Sequence, residues 1–145
     1  MSAQVSIFLR DDQVILIPQG GGGGLSYDIE PSLVVPAEAG KVGTAALQAI
    51  EISRQSQTEA TPPRTRASSA PVLKKLRLKS YKEFYRGASH CYLYEENGVI
   101  FMLRFRPAQD GAGFDLASSQ PETIDNRERL GEIVLECLKS SPRMP

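Results

Sequence analysis

Hydrophobic and polar residues alternate in two separate stretches of the chain, and each stretch predicts a pair of strands. In Val5–Pro18, a stretch in which apolar and polar residues alternate is followed by an acidic turn and then by a short apolar run, which is typical of two strands. At residues 89–103, Asn97-Gly98 separates two apolar runs and provides the strongest short hairpin signal. Further short strands are predicted at residues 33–35 and 114–116.

Two amphipathic helices, predicted at residues 38–54 and 127–140, share one pattern of apolar positions with an offset of 88 residues. Gly43 and Gly131 occupy the same position in both helices. Since glycine inside a helix costs about 1 kcal/mol relative to alanine, this repetition indicates close packing against another backbone. The matching positions are Val42, Ala45, Ala46, Ala49 and Ile50, and Leu130, Ile133, Val134, Cys137 and Leu138.

We therefore expect an α+β fold: a mainly antiparallel sheet with two helices on one face, built from two pseudo-repeated ββ(β)α units. The length of 145 residues suits one domain spanning residues 1–145. Residues 55–71 contain almost no large apolar side chain and are predicted to form a mobile loop. The run Gly20–Gly24 is also expected to be a flexible loop, because no Gly-Lys-Ser/Thr sequence follows it to bind phosphate.

The net charge is zero, but the charges are distributed unevenly. Residues 54–86 hold nine basic and two acidic residues, which leaves eight basic and fifteen acidic residues elsewhere. We expect an acidic body with a basic central segment. Its aromatic residues Tyr81, Phe84 and Tyr85 are expected in the core, with the lysines and arginines solvated. A nucleic-acid-binding module that uses the basic segment 64–86 is the alternative.

The sequence contains no local pattern typical of a catalytic or metal site. His90 is the only histidine, and no Cys/His or Asp/Glu spacing near it is typical of zinc binding. A small enzyme built around His90 stays open, because the partners of a catalytic histidine meet only in space. The pattern favours small buried hydrophobic roles for Cys91 and Cys137. We expect no enzymatic activity, no cofactor and no metal.

No apolar run approaches the about 18 residues of a membrane-spanning helix. The N-terminus also lacks the basic start and apolar stretch of a signal peptide. We therefore expect a cytoplasmic protein without a membrane partner.

Three segments, in this order, resemble the immunity proteins of contact-dependent growth inhibition systems, the CdiI type. They are the helix at residues 41–54, the segment at residues 79–88 and the helix at residues 129–138, and together they span most of the chain outside the predicted loop. The family pattern usually has Trp where this chain has Tyr81. The resemblance implies a non-enzymatic cytoplasmic protein that binds and blocks the C-terminal toxin domain of a cognate CdiA effector, often a nuclease.

The acidic body supplies a hypothesis about the toxin-binding surface. Acidic residues suit a basic nuclease domain, because complementary charges speed encounter and exclude wrong partners. No toxin-contact residue can be carried over from the family, so the candidates come from predicted loops and turns. We expect no nucleic-acid partner. The toxin-binding candidates are Asp28, Glu30, Glu95, Glu96, Asp110 and Asp115.

Overall fold

Eight strands of one sheet and four helices make up the described part of the chain. The structure is a computed structural model that describes residues 3–20, 27–56 and 70–145. The strands are β1 (Ala3–Arg10), β2 (Gln13–Gly20), β3 (Tyr27–Asp28), β4 (Leu33–Pro36), β5 (Ser89–Glu96), β6 (Val99–Pro107), β7 (Phe114–Leu116) and β8 (Glu122–Ile124). The helices are α1 (Ala39–Ser56), α2 (Ala70–Leu76), α3 (Tyr81–Tyr85) and α4 (Leu130–Ser140), and a 3-10 turn at Arg127–Arg129 precedes α4.

The first strand lies at the centre of the sheet. The order is β3-β2-β1-β5-β6-β7, with β4 also paired to β2 and β8 to β6, and every pairing is antiparallel. In this register Phe8 lies opposite both Ile15 and His90. At the β5–β6 turn, Asn97 and Gly98 have φ angles of 52° and 79°, the left-handed values that a tight Asn-Gly hairpin turn requires. The predicted α+β class and the mainly antiparallel sheet are confirmed.

Helices α1 and α4 pack on the same face of the sheet, as the repeated pattern predicts. Their apolar residues share one core with the side chains that β1, β2, β5 and β6 point to that face. Cys91 and Cys137 are fully buried in this core. The two helix glycines meet across the α1–α4 contact: a Cβ on Gly43 would lie 3.1 Å from the backbone nitrogen of Gly131. The absence of side chains there lets the two helix backbones approach closely.

The opposite face of the sheet carries a second, aromatic core covered by the short helices α2 and α3. Phe84 of α3 is fully buried against Phe8 of β1, with ring centroids 4.9 Å apart. Ser80 caps the N-terminus of helix α3, and its Oγ accepts a hydrogen bond from the backbone N–H of Glu83 at 3.2 Å. The aromatic residues of the basic segment therefore enter the core, as expected from the sequence.

The two predicted loops lie largely outside the described residues. Helix α1 extends to Ser56 and α2 begins at Ala70, so the two ends of the loop predicted at about residues 55–71 are helical. Its central part, residues 57–69, lies outside the described residues. The glycine run begins inside β2, which ends at Gly20, and residues 21–24 also lie outside them.

Candidate binding site

The structure does not bring the six predicted toxin-binding acids together. Glu96 ends β5 and Asp110 lies beyond the end of β6, so the nine-residue strand β6 lies between them. At about 3.3 Å per residue this strand is roughly 27 Å long. Asp110 also accepts a hydrogen bond from the backbone N–H of Ala112 at 2.9 Å. Four of the six are exposed: Glu30, Glu96, Asp110 and Asp115. Asp28 and Glu95 are buried or partly buried and have side-chain partners.

Asp28, Glu96 and Asp115 lie in strands, so the prediction that they belong to loops and turns is wrong. The prediction is also wrong for Glu95, which lies in strand β5. Its side chain is 8% exposed and accepts a hydrogen bond from Arg127 Nη2 at 2.8 Å and another from Arg54 Nη2. Burial opposes ionisation, but the two guanidinium groups outweigh it and hold the pKa of Glu95 below its ordinary value. Glu95 thus joins helix α1 and the 3-10 turn to the sheet, and its carboxylate is already occupied.

His90 is buried in the aromatic core instead of standing free at the surface. Its ring stacks on Phe8, with centroids 4.1 Å apart and planes 10° from parallel. Nδ1 donates a hydrogen bond to the backbone carbonyl of Ile7 at 2.9 Å, whereas in a Ser-His-Asp arrangement this nitrogen would face a carboxylate. Burial lowers the pKa of His90 to about 4, against the opposing effect of the Ile7 hydrogen bond. The imidazole is therefore neutral at pH 7.

A cavity of about 180 Å³ lies between helix α3 and the aromatic face of the sheet. We call it the aromatic cavity. Strands β1 and β2 form its floor, and α3 and β7 form its walls, because alternate residues of the strands point to this face. The lining residues are Ser6, Phe8, Ile17, Gln19, Asp28, Tyr81, Phe84, Tyr85, His90 and Phe114.

Asp28 is the one carboxylate that lines the aromatic cavity within the described residues. Its Oδ1 accepts a hydrogen bond from Gln19 Nε2 at 3.0 Å, made possible because β2 and β3 place these two residues opposite each other. Burial raises the pKa of Asp28, partly offset by this hydrogen bond. Among the described residues Asp28 forms no ion pair, and no lysine or arginine of that set lines the cavity.

The aromatic surface continues from the cavity onto β5 and β6. His90 contacts Phe105 with ring centroids 4.4 Å apart, and Tyr94 stacks on Phe101 at 5.1 Å. We define this open aromatic face by five partly exposed residues: Tyr92, Tyr94, Phe101, Leu103 and Phe105. Neither core cluster of the described residues includes any of them.

Sequence reasoning missed both the aromatic cavity and the open aromatic face. A signal was present, because Cys91–Tyr94 of β5 and Val99–Leu103 of β6 are uninterrupted runs of apolar and aromatic residues, which indicates strands with such side chains on both faces. Only one of these faces is needed to pack against α1 and α4.

The lysines and arginines of the basic segment that the structure describes lie at the surface of α2, α3 and their connection. Lys74, Lys75, Arg77, Lys79, Lys82 and Arg86 are all exposed. Lys75 donates a hydrogen bond through Nζ to the backbone carbonyl of Ser32, which ties α2 to the segment before β4. Arg64 and Arg66 lie outside the described residues.

Within residues 3–20, 27–56 and 70–145, no group of three or more His, Cys, Asp or Glu side chains could hold a metal ion. No helix in the same part of the chain combines the length and apolar character needed to cross a bilayer.

The chain is similar to known proteins in fold and not in sequence. No protein-family model and no curated protein matches the sequence. A Neisseria meningitidis protein of unknown function has a TM-score of 0.66 and 16% identity, and the alignment covers 96% of this chain and 92% of that chain. A chain of a CdiA-CT/CdiI toxin and immunity complex from Yersinia pseudotuberculosis has a TM-score of 0.59 and 10% identity, with 97% of each chain covered. The chain therefore shares its whole fold with a protein from a toxin–immunity complex.

Proposed function

We propose that this protein is an immunity protein that binds the C-terminal toxin domain of a cognate CdiA effector and neutralises it. The observation that carries the proposal is the fold similarity to a chain of the Yersinia pseudotuberculosis complex, which extends over 97% of both chains. The three sequence segments that resemble the CdiI type support it independently. Two of them form the packed helices α1 and α4 and the third contains α3.

We further propose that the protein acts in the cytoplasm by occupying the toxin and not by catalysing a reaction on it. The neutral, stacked His90, whose Nδ1 hydrogen-bonds to backbone, supports this mode of action. The toxin activity most compatible with the acidic body is that of a nuclease, because a nuclease needs a basic cleft for its substrate.

The surface best suited to the toxin is the open aromatic face together with the exposed acid Glu96 at its border. Tyrosine and phenylalanine are enriched in protein interfaces, where they supply large contact area. Glu96 ends strand β5 and points to this face with Tyr92 and Tyr94, whereas Asp115 lies opposite Arg106 and points to the other face of the sheet. Exposed carboxylates at the border would mainly raise the association rate, while the aromatic side chains would set the dissociation rate.

The proposal is tested by co-expression with the C-terminal toxin domain encoded by the neighbouring upstream gene. Wild-type protein should restore growth and form a tight complex. A variant with all four exposed candidate acids neutralised (Glu30, Glu96, Asp110 and Asp115) should associate more slowly, and more so at low salt. The matched control neutralises four other exposed acids: Asp12, Asp125, Glu128 and Glu136.

Each outcome has a distinct meaning. If the wild-type protein neither binds nor protects, the immunity function is refuted. If it protects and the two four-fold variants associate at equal rates, the function stands and the choice of acidic surface is wrong.

A nucleic-acid-binding function is the second candidate, favoured by the six exposed basic residues of α2, α3 and their connection. Binding by this surface would weaken steeply with salt, because each phosphate contact releases counterions. We expect no tight binding of DNA or RNA near physiological salt in a fluorescence anisotropy titration. A clear anisotropy change at low protein concentration would favour this candidate over the immunity function.

A further inference from the structure

We propose that the aromatic cavity binds the positively charged end of a lysine or arginine side chain of the toxin, an inference that rests on the proposed function. Asp28, at the side of the cavity, would pair with the cation, and the rings of Tyr81, Tyr85 and Phe114 would enclose it. Neither the six-acid hypothesis nor the fold similarity assigns a role to this cavity.

The first argument is the uncompensated charge of Asp28. Of its two carboxylate oxygens, only Oδ1 has a hydrogen-bond partner among the described residues, namely Gln19. Withdrawing a carboxylate from water without a cationic partner is unfavourable, and burial accordingly raises the pKa of Asp28. A cation inside the cavity would remove this penalty, whereas an anion would increase it.

The second argument is the arrangement of the aromatic rings. Tyr85 and Phe114 stand almost perpendicular, with an interplanar angle of 86° and centroids 5.3 Å apart, and Tyr81 lies 5.8 Å from Tyr85. All three rings line the cavity, and the face of an aromatic ring attracts a cation within about 6 Å of its centroid. The pKa of the Tyr85 phenol is raised first by burial, then by Tyr81 and then by the charge of Asp28, so Asp28 lies close to this ring. The carboxylate and the rings therefore belong to one site.

The third argument is size. A cavity of about 180 Å³ is many times larger than the about 10–15 Å³ that one water needs. The lysine side chain beyond Cα has five heavy atoms, so the end of one basic side chain fits. Pockets for drug-sized ligands and cofactors measure roughly 300–1,000 Å³. The cavity is therefore too small for a nucleotide and well matched to a single side chain.

The basic residues of helix α3 do not contradict a cation site. Lys82 and Arg86 are exposed and do not line the cavity, because the helix presents Tyr81, Phe84 and Tyr85 to it. His90, which does line it, is uncharged at pH 7. Within the described lining, Asp28 thus supplies the only formal charge.

The first experiment measures binding of small probes to the full chain by two-dimensional NMR. Nα-acetyl-lysine methylamide and Nα-acetyl-arginine methylamide should shift the resonances of Ser6, Gln19 and Asp28 in a saturable way, in the millimolar range. The uncharged norleucine analogue should bind at least about fivefold more weakly, because it lacks the cation–π and charge terms. Asp28→Asn should weaken binding of the two charged probes and leave binding of the norleucine analogue unchanged, because the aromatic rings stay in place.

The second experiment measures affinity for the toxin domain by calorimetry. Asp28→Asn should weaken the complex about tenfold, as expected when one partner of a partly buried charge pair is neutralised. Asp125→Asn changes an exposed acid that does not line the cavity and should leave the affinity unchanged. The melting temperature and NMR spectrum of each variant establish that it is folded.

The two arms distinguish the inference from the function on which it rests. If wild type binds the toxin and Asp28→Asn binds equally well, the inference is refuted and the immunity function stands. Probe binding combined with an unchanged toxin affinity also refutes it, because the cavity would then accept free cations only. If wild type does not bind the toxin at all, the proposed function fails and the inference fails with it.

Discussion

The close contact between α1 and α4 predicts that Gly131→Ala is strongly destabilising. A Cβ at this position would overlap the carbonyl oxygen of Ala39 and lie 2.8 Å from the backbone nitrogen of Gly43. Both are backbone atoms, so the helices themselves must separate. Overpacking of this kind costs about 3 kcal/mol or more at its upper end, and alanine returns about 1 kcal/mol of helix propensity. We expect a net loss of about 2 kcal/mol in the free energy of unfolding, or roughly 4–8 °C in melting temperature.

Two glycines of the partner helix α1 provide controls for the same substitution. A Cβ on Gly40 would meet nothing within 4 Å, so Gly40→Ala should be neutral or slightly stabilising. A Cβ on Gly43 would lie 3.1 Å from the nitrogen of Gly131, so Gly43→Ala should fall between the two. Urea unfolding followed by circular dichroism ranks the three variants. Equal stability of the Gly131 and Gly40 variants would refute the close approach of the helix backbones.

Three further predictions concern single features. The unfolded chain takes up a proton at His90 near pH 6.5 and the folded chain only near pH 4, so the free energy of unfolding should be largest above pH 6.5 and fall by about 3 kcal/mol towards pH 4. In urea titrations His90→Phe should flatten this dependence on pH, and an unchanged dependence would exclude His90 as its source. Glu95→Gln should lower the free energy of unfolding by about 1 kcal/mol and not more, because solvent screens the half-exposed arginines that pair with Glu95. Glu122→Gln, which removes an exposed ion pair, should lower it less, and equal losses would contradict a special role for Glu95. Deleting residues 57–69 should change the melting temperature little, because loop length affects stability only logarithmically, and a large decrease would show that this segment packs against the domain.

Local signals predicted the elements of this fold better than its site. The Asn97-Gly98 hairpin and the two helices each depend on residues close together in sequence, and the repeated glycines even predicted how the helices meet. The partners of Glu95 could not be predicted, because Arg54 and Arg127 lie 41 and 32 residues away. The aromatic cavity likewise exists only because β1 pairs with a strand from the other half of the chain.

That pairing has a consequence for the newly made chain. Strand β1 completes its hydrogen bonds only with β5, whose residues lie 80 to 92 positions later in the sequence. At about 5–20 residues per second of synthesis, one edge of β1 stays open for roughly 4–18 seconds after it has been translated. That edge is rich in Val, Ile and Leu, a composition that favours pairing with other chains. A chain that ends before residue 89 would keep this edge open, so we expect such truncated chains to aggregate more readily than the full chain.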